Sequence, residues 1–357
     1  MARNHALDSL RGLAALAVAL GHSNLAVTGL VAWQATLFDL PHLGWRDVSG
    51  RLLYLVFPSD AAVTLFFVLS GYVLWQSFQR SLENGGRDHS LMRLASDLPD
   101  YIVGRLYRLL PTLMASCLIM ASFTGASVPV LIKNMLLLDH DLIGVSWTLQ
   151  VEAICSLALF VAHRLLRGSA KGALVCLLLV IACAGFFRGS NFFLFFPAFL
   201  LGALIGSIPS HFWRRWMAPV GFMILSCGSL VLTRHAPGRA CEMIGATLLI
   251  GSVGTLQPKI LLAPVLVFLG EISYSFYLAD PLGLLWAHAF VDDRAPQSAF
   301  FISFVVLAIA SIALTLPTAW LLHVALERPL MIARPRLHLR GRRLSSQPAG
   351  SVSQTLA

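Results

Sequence analysis

A chain of 357 residues that is 57% hydrophobic and 12% charged, with a mean hydropathy of +0.76, has too little polar surface to cover a water-soluble globule. The net charge of +9 and pI of 9.7 would suggest nucleic acid in a soluble protein, but the positions of the charges explain them otherwise, and no nucleic-acid partner is expected. The expected surroundings are a lipid bilayer.

Stretches of about 20 apolar residues are read as membrane spans. Ten occur in chain order, at 9–29, 57–79, 105–125, 145–166, 171–187, 191–208, 215–233, 239–256, 262–288 and 298–322. The stretch at 262–288 is long enough to tilt or to include an interfacial turn. The expected fold is all-α, a polytopic membrane protein of about ten transmembrane helices with both termini cytoplasmic. Residues 1–330 form one membrane domain, and 331–357 a basic, then disordered, cytoplasmic tail.

With the N-terminus inside, 19 of the 26 Lys and Arg residues fall on the inner side, as the positive-inside rule expects. The first segment has the charged start and apolar middle of a secretory signal. Its apolar run nevertheless continues to Val31 without a small-residue cleavage site, so it is read as a retained helix. The largest outer loop, 30–56, carries Trp33, His42, Trp45 and Tyr54, and the main inner loop is 80–104. The six cysteines lie in or at the ends of apolar stretches and show no metal-ligand spacing, so they read as small buried hydrophobes and no metal site is expected.

Ionisable groups inside spans mark polar interiors. Arg11 and His22 are eleven residues apart on the first segment, about three turns plus 20°, so both occupy one face about 16 Å apart along the axis. Counting residues from the ends of the first and fourth segments puts His22 and Glu152 at similar depth. A carboxylate there can fix the imidazole tautomer, as in a general base, or the two can form a structural interhelical hydrogen bond. Arg105 and Arg108, three apart, point to one side and with Arg11 would make a phosphate pocket; ordinary positive-inside anchoring explains the same spacing. Gly71, beside Ser70, permits close helix packing. The ninth segment carries Glu271, Ser273, Tyr274, Tyr277 and Asp280, too polar for a lipid-facing surface. Ser70, Trp147, Tyr274 and Asp280 are the expected cavity-lining residues.

Six strings in register resemble the acyltransferase-3 family of membrane O-acyltransferases: "LDSLRGLAALAVALGH", "LFFVLSGYVL", "GRLYRLLPT", "SWTLQVE", "GEISYSFYL" and "ERP", together covering about residues 7 to 329. The resemblance implies transfer of an acyl group, commonly acetyl, from cytoplasmic acyl-coenzyme A (acyl-CoA). The acceptor would be a hydroxyl of a surface polysaccharide, lipopolysaccharide or other glycoconjugate, or in some members a macrolide. It also implies a bacterial inner (cytoplasmic) membrane. His22 matches the family's catalytic histidine, Arg11 its paired arginine, Arg105 and Arg108 the arginines of the coenzyme A end, and Glu152 the acidic residue after the Trp motif. Acyl-CoA would be a donor substrate, with no permanently bound cofactor. The family motif often ends in His before Pro, whereas "LADP" places Asp280 there, and Asp60 and Ala61 stand where Gly and small residues are common. A transporter or flippase of lipid-linked saccharides is the rival class, and the absence of an internal repeat speaks against it. The acceptor, the acyl length, direct transfer against a covalent acyl-enzyme, and a homo-oligomeric state are left open.

Overall fold

The computed structural model describes residues 4–85, 91–184, 189–231, 236–288 and 300–333. All regular structure among them is helical: α1 (His5–Gln34), α2 (Trp45–Val56), α3 (Ser59–Gly85), α4 (Leu91–Thr124), α5 (Val128–Met135), α6 (Trp147–Leu165), α7 (Ala170–Ala184), α8 (Asn191–Ile205), α9 (Met217–Val231), α10 (Ala236–Leu256), α11 (Pro264–Glu271), α12 (Ser273–Ala287), α13 (Phe300–Leu322) and α14 (Arg328–Ala333), with a π-helical turn at His323–Glu327. Residues 331–333 of the expected tail belong to α14, and the rest lies outside the described residues.

A helix occupies each of the ten apolar stretches. Among the described residues, five helical stretches are long and apolar enough to cross a membrane, or six if the bent pair α11–α12 is one span. The expectation of ten spans is therefore narrowed. At 15 residues, α8 rises only about 22 Å, short of a hydrocarbon core of about 30 Å. α10 carries Arg239 and Glu242 in its first two turns. The stretch at 262–288 contains the anticipated turn, since α11 and α12 meet at 76°. The expected outer loop 30–56 contains the end of α1 and the helix α2, whose buried side is Gly50, Arg51 and Tyr54. Its alternating polarity conceals it from a search for apolar runs.

The first helix is the centre of the fold, packing against α2, α3, α10, α11, α12 and α13. Asn4 caps it by accepting from the Leu7 N–H at 3.3 Å, and Asp8 lies favourably in its first turn. Gly29 breaks its helical geometry with φ of 73°, a conformation that glycine adopts without a Cβ clash. Glycine sets several backbone crossings, two of them near the first and third helices. A Cβ on Gly12 would lie 2.6 Å from the Gly270 nitrogen, and one on Gly71 would lie 2.1 Å from the Phe199 carbonyl oxygen. The small residues of "LRGL" and "LSGY" thus set how closely α1 meets α11 and how closely α3 meets α8.

Candidate functional site

The bend between α11 and α12 leaves the Gly270 carbonyl outside a regular ladder. Arg11 uses it: Nη2 donates to Gly270 O at 2.8 Å and Nε donates to the Ser273 hydroxyl at 2.8 Å. Farther along the same two helices, His22 Nδ1 lies 2.5 Å from Asp280 Oδ2. α1 and α12 are thus pinned at two levels by the two ionisable residues that helical periodicity places on one face of α1. Pro281, next to Asp280, has no N–H to give the Tyr277 carbonyl, which locally loosens the α12 ladder.

Arg11, Arg105 and Arg108 line one cavity. Arg105 donates to Glu152 Oε1 at 2.8 Å, and Arg11 lies 3.7 Å from Asp8. Arg108 makes no hydrogen bond or ion pair among the described residues, and it lines this cavity and two flanking ones. It is the cation of the trio with most capacity left for a ligand. The cavity then follows one face of α3, where Val63, Phe66, Phe67, Ser70 and Leu74 recur at helical spacing over about 16 Å. Ser70 and Tyr274 line it as expected, and Tyr274 donates to the Leu109 carbonyl at 2.6 Å.

His22 opens on a different cavity, beyond Val63 and Tyr277, lined also by Trp147, Asp60, Asn191 and Arg239. It holds about 490 Å³, against about 120 Å³ for the arginine-lined one. With Nδ1 taken by Asp280, Nε2 is the ring nitrogen that can serve a ligand in this space. The His22 side chain is 26% exposed and Asp280 only 1%. Asp280 is therefore set behind the histidine and does not line the wall itself. Its Oδ1 is buried without a hydrogen-bond partner among the described residues.

The pairing of His22 with Glu152 is corrected. Glu152 belongs to Arg105 in the arginine-lined cavity, and Asp280 is the carboxylate at His22. The depth count assumed that the fourth span begins at the membrane surface. In fact Val145, just before α6, and Trp147, its first residue, line the histidine cavity, whereas Glu152, further along α6, lines the arginine cavity.

One group went unrecognised in the sequence. Arg239 donates to Glu242 Oε2 at 2.8 Å and lies 3.8 Å from Asp60 Oδ2, while Thr64 donates to Glu242 at 2.7 Å. Arg239 is the first residue of the expected span 239–256. The available signal was its i, i+3 spacing from Glu242 at the head of an apolar stretch. Asp60 and Arg239 line the histidine cavity, and Arg239 also lies 5.5 Å over the Phe195 ring.

Comparison with protein-family models matches residues 4–324 to an acyltransferase domain. No curated protein and no solved structure matches the chain.

Proposed function

Since the chain belongs to the acyltransferase-3 family and is a multi-pass membrane acyltransferase, we propose that it moves an acyl group, acetyl in the first instance, from cytoplasmic acyl-CoA to a hydroxyl of a surface or exported glycan. Both termini and the arginine-lined mouth face the cytoplasm of a bacterial inner membrane in this reading. The excess of Lys and Arg in the segments on that side supports the orientation.

One observation carries the proposal: two cavities meet back to back, one ending in three arginines and the other containing a carboxylate-held histidine. Arg108, with Arg11 and Arg105, would hold the coenzyme A phosphates by charge-assisted hydrogen bonds. The rise from Arg11 to His22, about 16 Å, is a span that an extended pantetheine arm covers. The narrow apolar cavity along α3 suits such an arm, and the wider one suits a ring-sized acceptor. Ser59, Asp60, Asn191 and Arg239 offer that acceptor both donors and hydrogen-bond acceptors, with Trp147 as an apolar wall. Arg239 is already balanced by Glu242 and Asp60, so it brings no surplus positive charge to the acceptor.

In the chemical step, His22 Nε2 takes the proton of the acceptor hydroxyl as its oxygen attacks the thioester carbonyl. The new C–O bond forms, the tetrahedral intermediate collapses with cleavage of C–S, and the imidazolium returns the proton to the departing thiolate. Asp280 holds the tautomer with Nδ1–H and stabilises the imidazolium. General-base assistance of this kind contributes about 10²–10⁴-fold, and holding both substrates at one partition supplies the orientation term.

The direct test uses inverted membrane vesicles containing the full chain, supplied with acetyl-CoA labelled in the acetyl carbon. Alkali-labile label should accumulate in the glycan or glycolipid fraction and vanish with His22→Ala. Glycan movement across the vesicle without label transfer would replace the enzyme reading by the transporter one.

A further inference from the structure

The two cavities share two lining residues, Val63 of α3 and Tyr277 of α12. Tyr277 is 7% exposed, and its position is held from several directions. Its hydroxyl lies 3.1 Å from Thr148 Oγ1 and 3.4 Å from the Val145 carbonyl oxygen, which tethers it to the start of α6. Its ring meets Phe66 edge-on at 5.9 Å. Val63 is β-branched and so has little χ1 freedom within a helix. Phe66 and Thr148 stand on the arginine side of this partition, and His22 and Trp147 on the other. A thioester arriving along α3 therefore reaches Nε2 of His22 only by carrying its acyl group past Val63 and Tyr277.

We infer that Val63 and Tyr277 select the acyl donor by the cross-section of its acyl group, admitting short unbranched chains and refusing those branched at the α-carbon. The inference rests on the acyl-transfer reading and adds the donor class to it. The cysteamine end of coenzyme A is an unbranched chain, so a passage that fits it also fits acetyl and propionyl groups of the same methylene width. A branch at the α-carbon adds a methyl directly beside the thioester carbon, which must sit at the partition when the acceptor attacks. Close-packed surroundings respond to a single added methyl. Length counts for less, because an unbranched chain that has passed the partition extends into the wider cavity.

The experiment uses the full chain in inverted membrane vesicles with acetyl-, propionyl- and isobutyryl-CoA, each labelled in the acyl carbon, and reads alkali-labile label in the vesicles. The wild-type chain is expected to prefer acetyl and propionyl over isobutyryl by tenfold or more. V63A should raise the isobutyryl-to-acetyl ratio at least tenfold. V63I, which narrows the same point without leaving a cavity, should lower the propionyl-to-acetyl ratio at least threefold, and it decides the matter if V63A does not fold. Equal use of isobutyryl and acetyl by the wild-type chain, or unchanged ratios in the folded variants, would overturn the inference and leave acyl transfer standing. Absence of transfer from any of the three donors would instead overturn the acyl-transfer reading, and the inference with it.

Discussion

His22 and Asp280 meet across the α1–α12 interface, Nδ1 to Oδ2 at 2.5 Å, the carboxylate 1% exposed and the imidazole 26%. A buried carboxylate fixing the far nitrogen of a partly exposed imidazole leaves the near nitrogen to work on a ligand. Asp280→Asn keeps the size of the side chain and removes its charge. It is expected to lower kcat by about 10²-fold or more, within the range for general-base assistance, with the KM for acyl-CoA changed far less. Steady-state kinetics in vesicles separates the two constants, and a loss confined to KM would remove Asp280 from the chemistry.

Glu152 gives the reciprocal test. Its carboxylate accepts from Arg105 at 2.8 Å, in the cavity that also contains Arg108. Glu152→Gln takes a negative charge away from the proposed phosphate mouth, where like charges about 6 Å apart repel by about 3 kcal/mol at an effective dielectric constant of 20. Screening will reduce that, and the expected outcome is a KM for acyl-CoA lowered about threefold to tenfold, with kcat falling far less than in Asp280→Asn. A collapse of kcat matching that variant would return Glu152 to the histidine.

Arg108 is expected to contribute more to donor affinity than Arg105, because Arg105 is already engaged by Glu152. Losing one hydrogen bond to a charged group costs about 1.5–3 kcal/mol, so Arg108→Ala should weaken acyl-CoA binding by about 10-fold to 150-fold. The affinity should also become less sensitive to salt. Isothermal titration with non-hydrolysable acyl-CoA measures both, and equal losses in Arg108→Ala and Arg105→Ala would contradict the ranking.

The buried group on α10 is expected to matter for stability. Arg239→Ala would leave Glu242, which is 0% exposed, with its main cationic partner gone. Breaking a buried pair on one side costs about 3–5 kcal/mol. Thermal unfolding in detergent should show a marked drop for Arg239→Ala and partial recovery in Arg239→Met with Glu242→Leu, since apolar groups of similar volume replace such pairs well. Equal melting temperatures in wild type and Arg239→Ala would show that the pair carries little stability.

At the α3–α8 crossing, Gly71→Val places a branched side chain where even a Cβ would lie 2.1 Å from the Phe199 carbonyl oxygen. The helices must separate, so the folded yield after membrane extraction should fall severely. Retention of the wild-type yield and melting temperature would mean that the crossing is looser than the geometry indicates.

Much of this molecule was legible locally. A helix lies on every apolar stretch because run length and composition are properties of a single segment. Arg11 and His22 share a face, and Arg105 and Arg108 line the same cavity, because the helical repeat alone decides which side chains of one helix point together. Gly71 marked a close crossing for a reason equally local, its missing Cβ. Which carboxylate serves His22 was a different kind of question. Its answer depends on where two helices begin relative to one another, and α6 starts in the lining of the histidine cavity, which carries Glu152 away from His22. The contact of Thr64 with Glu242, 178 residues away, and the meeting of Val63 with Tyr277 likewise exist only once the helices are assembled. Periodicity orients side chains around one axis, and only packing sets the height and neighbours of that axis.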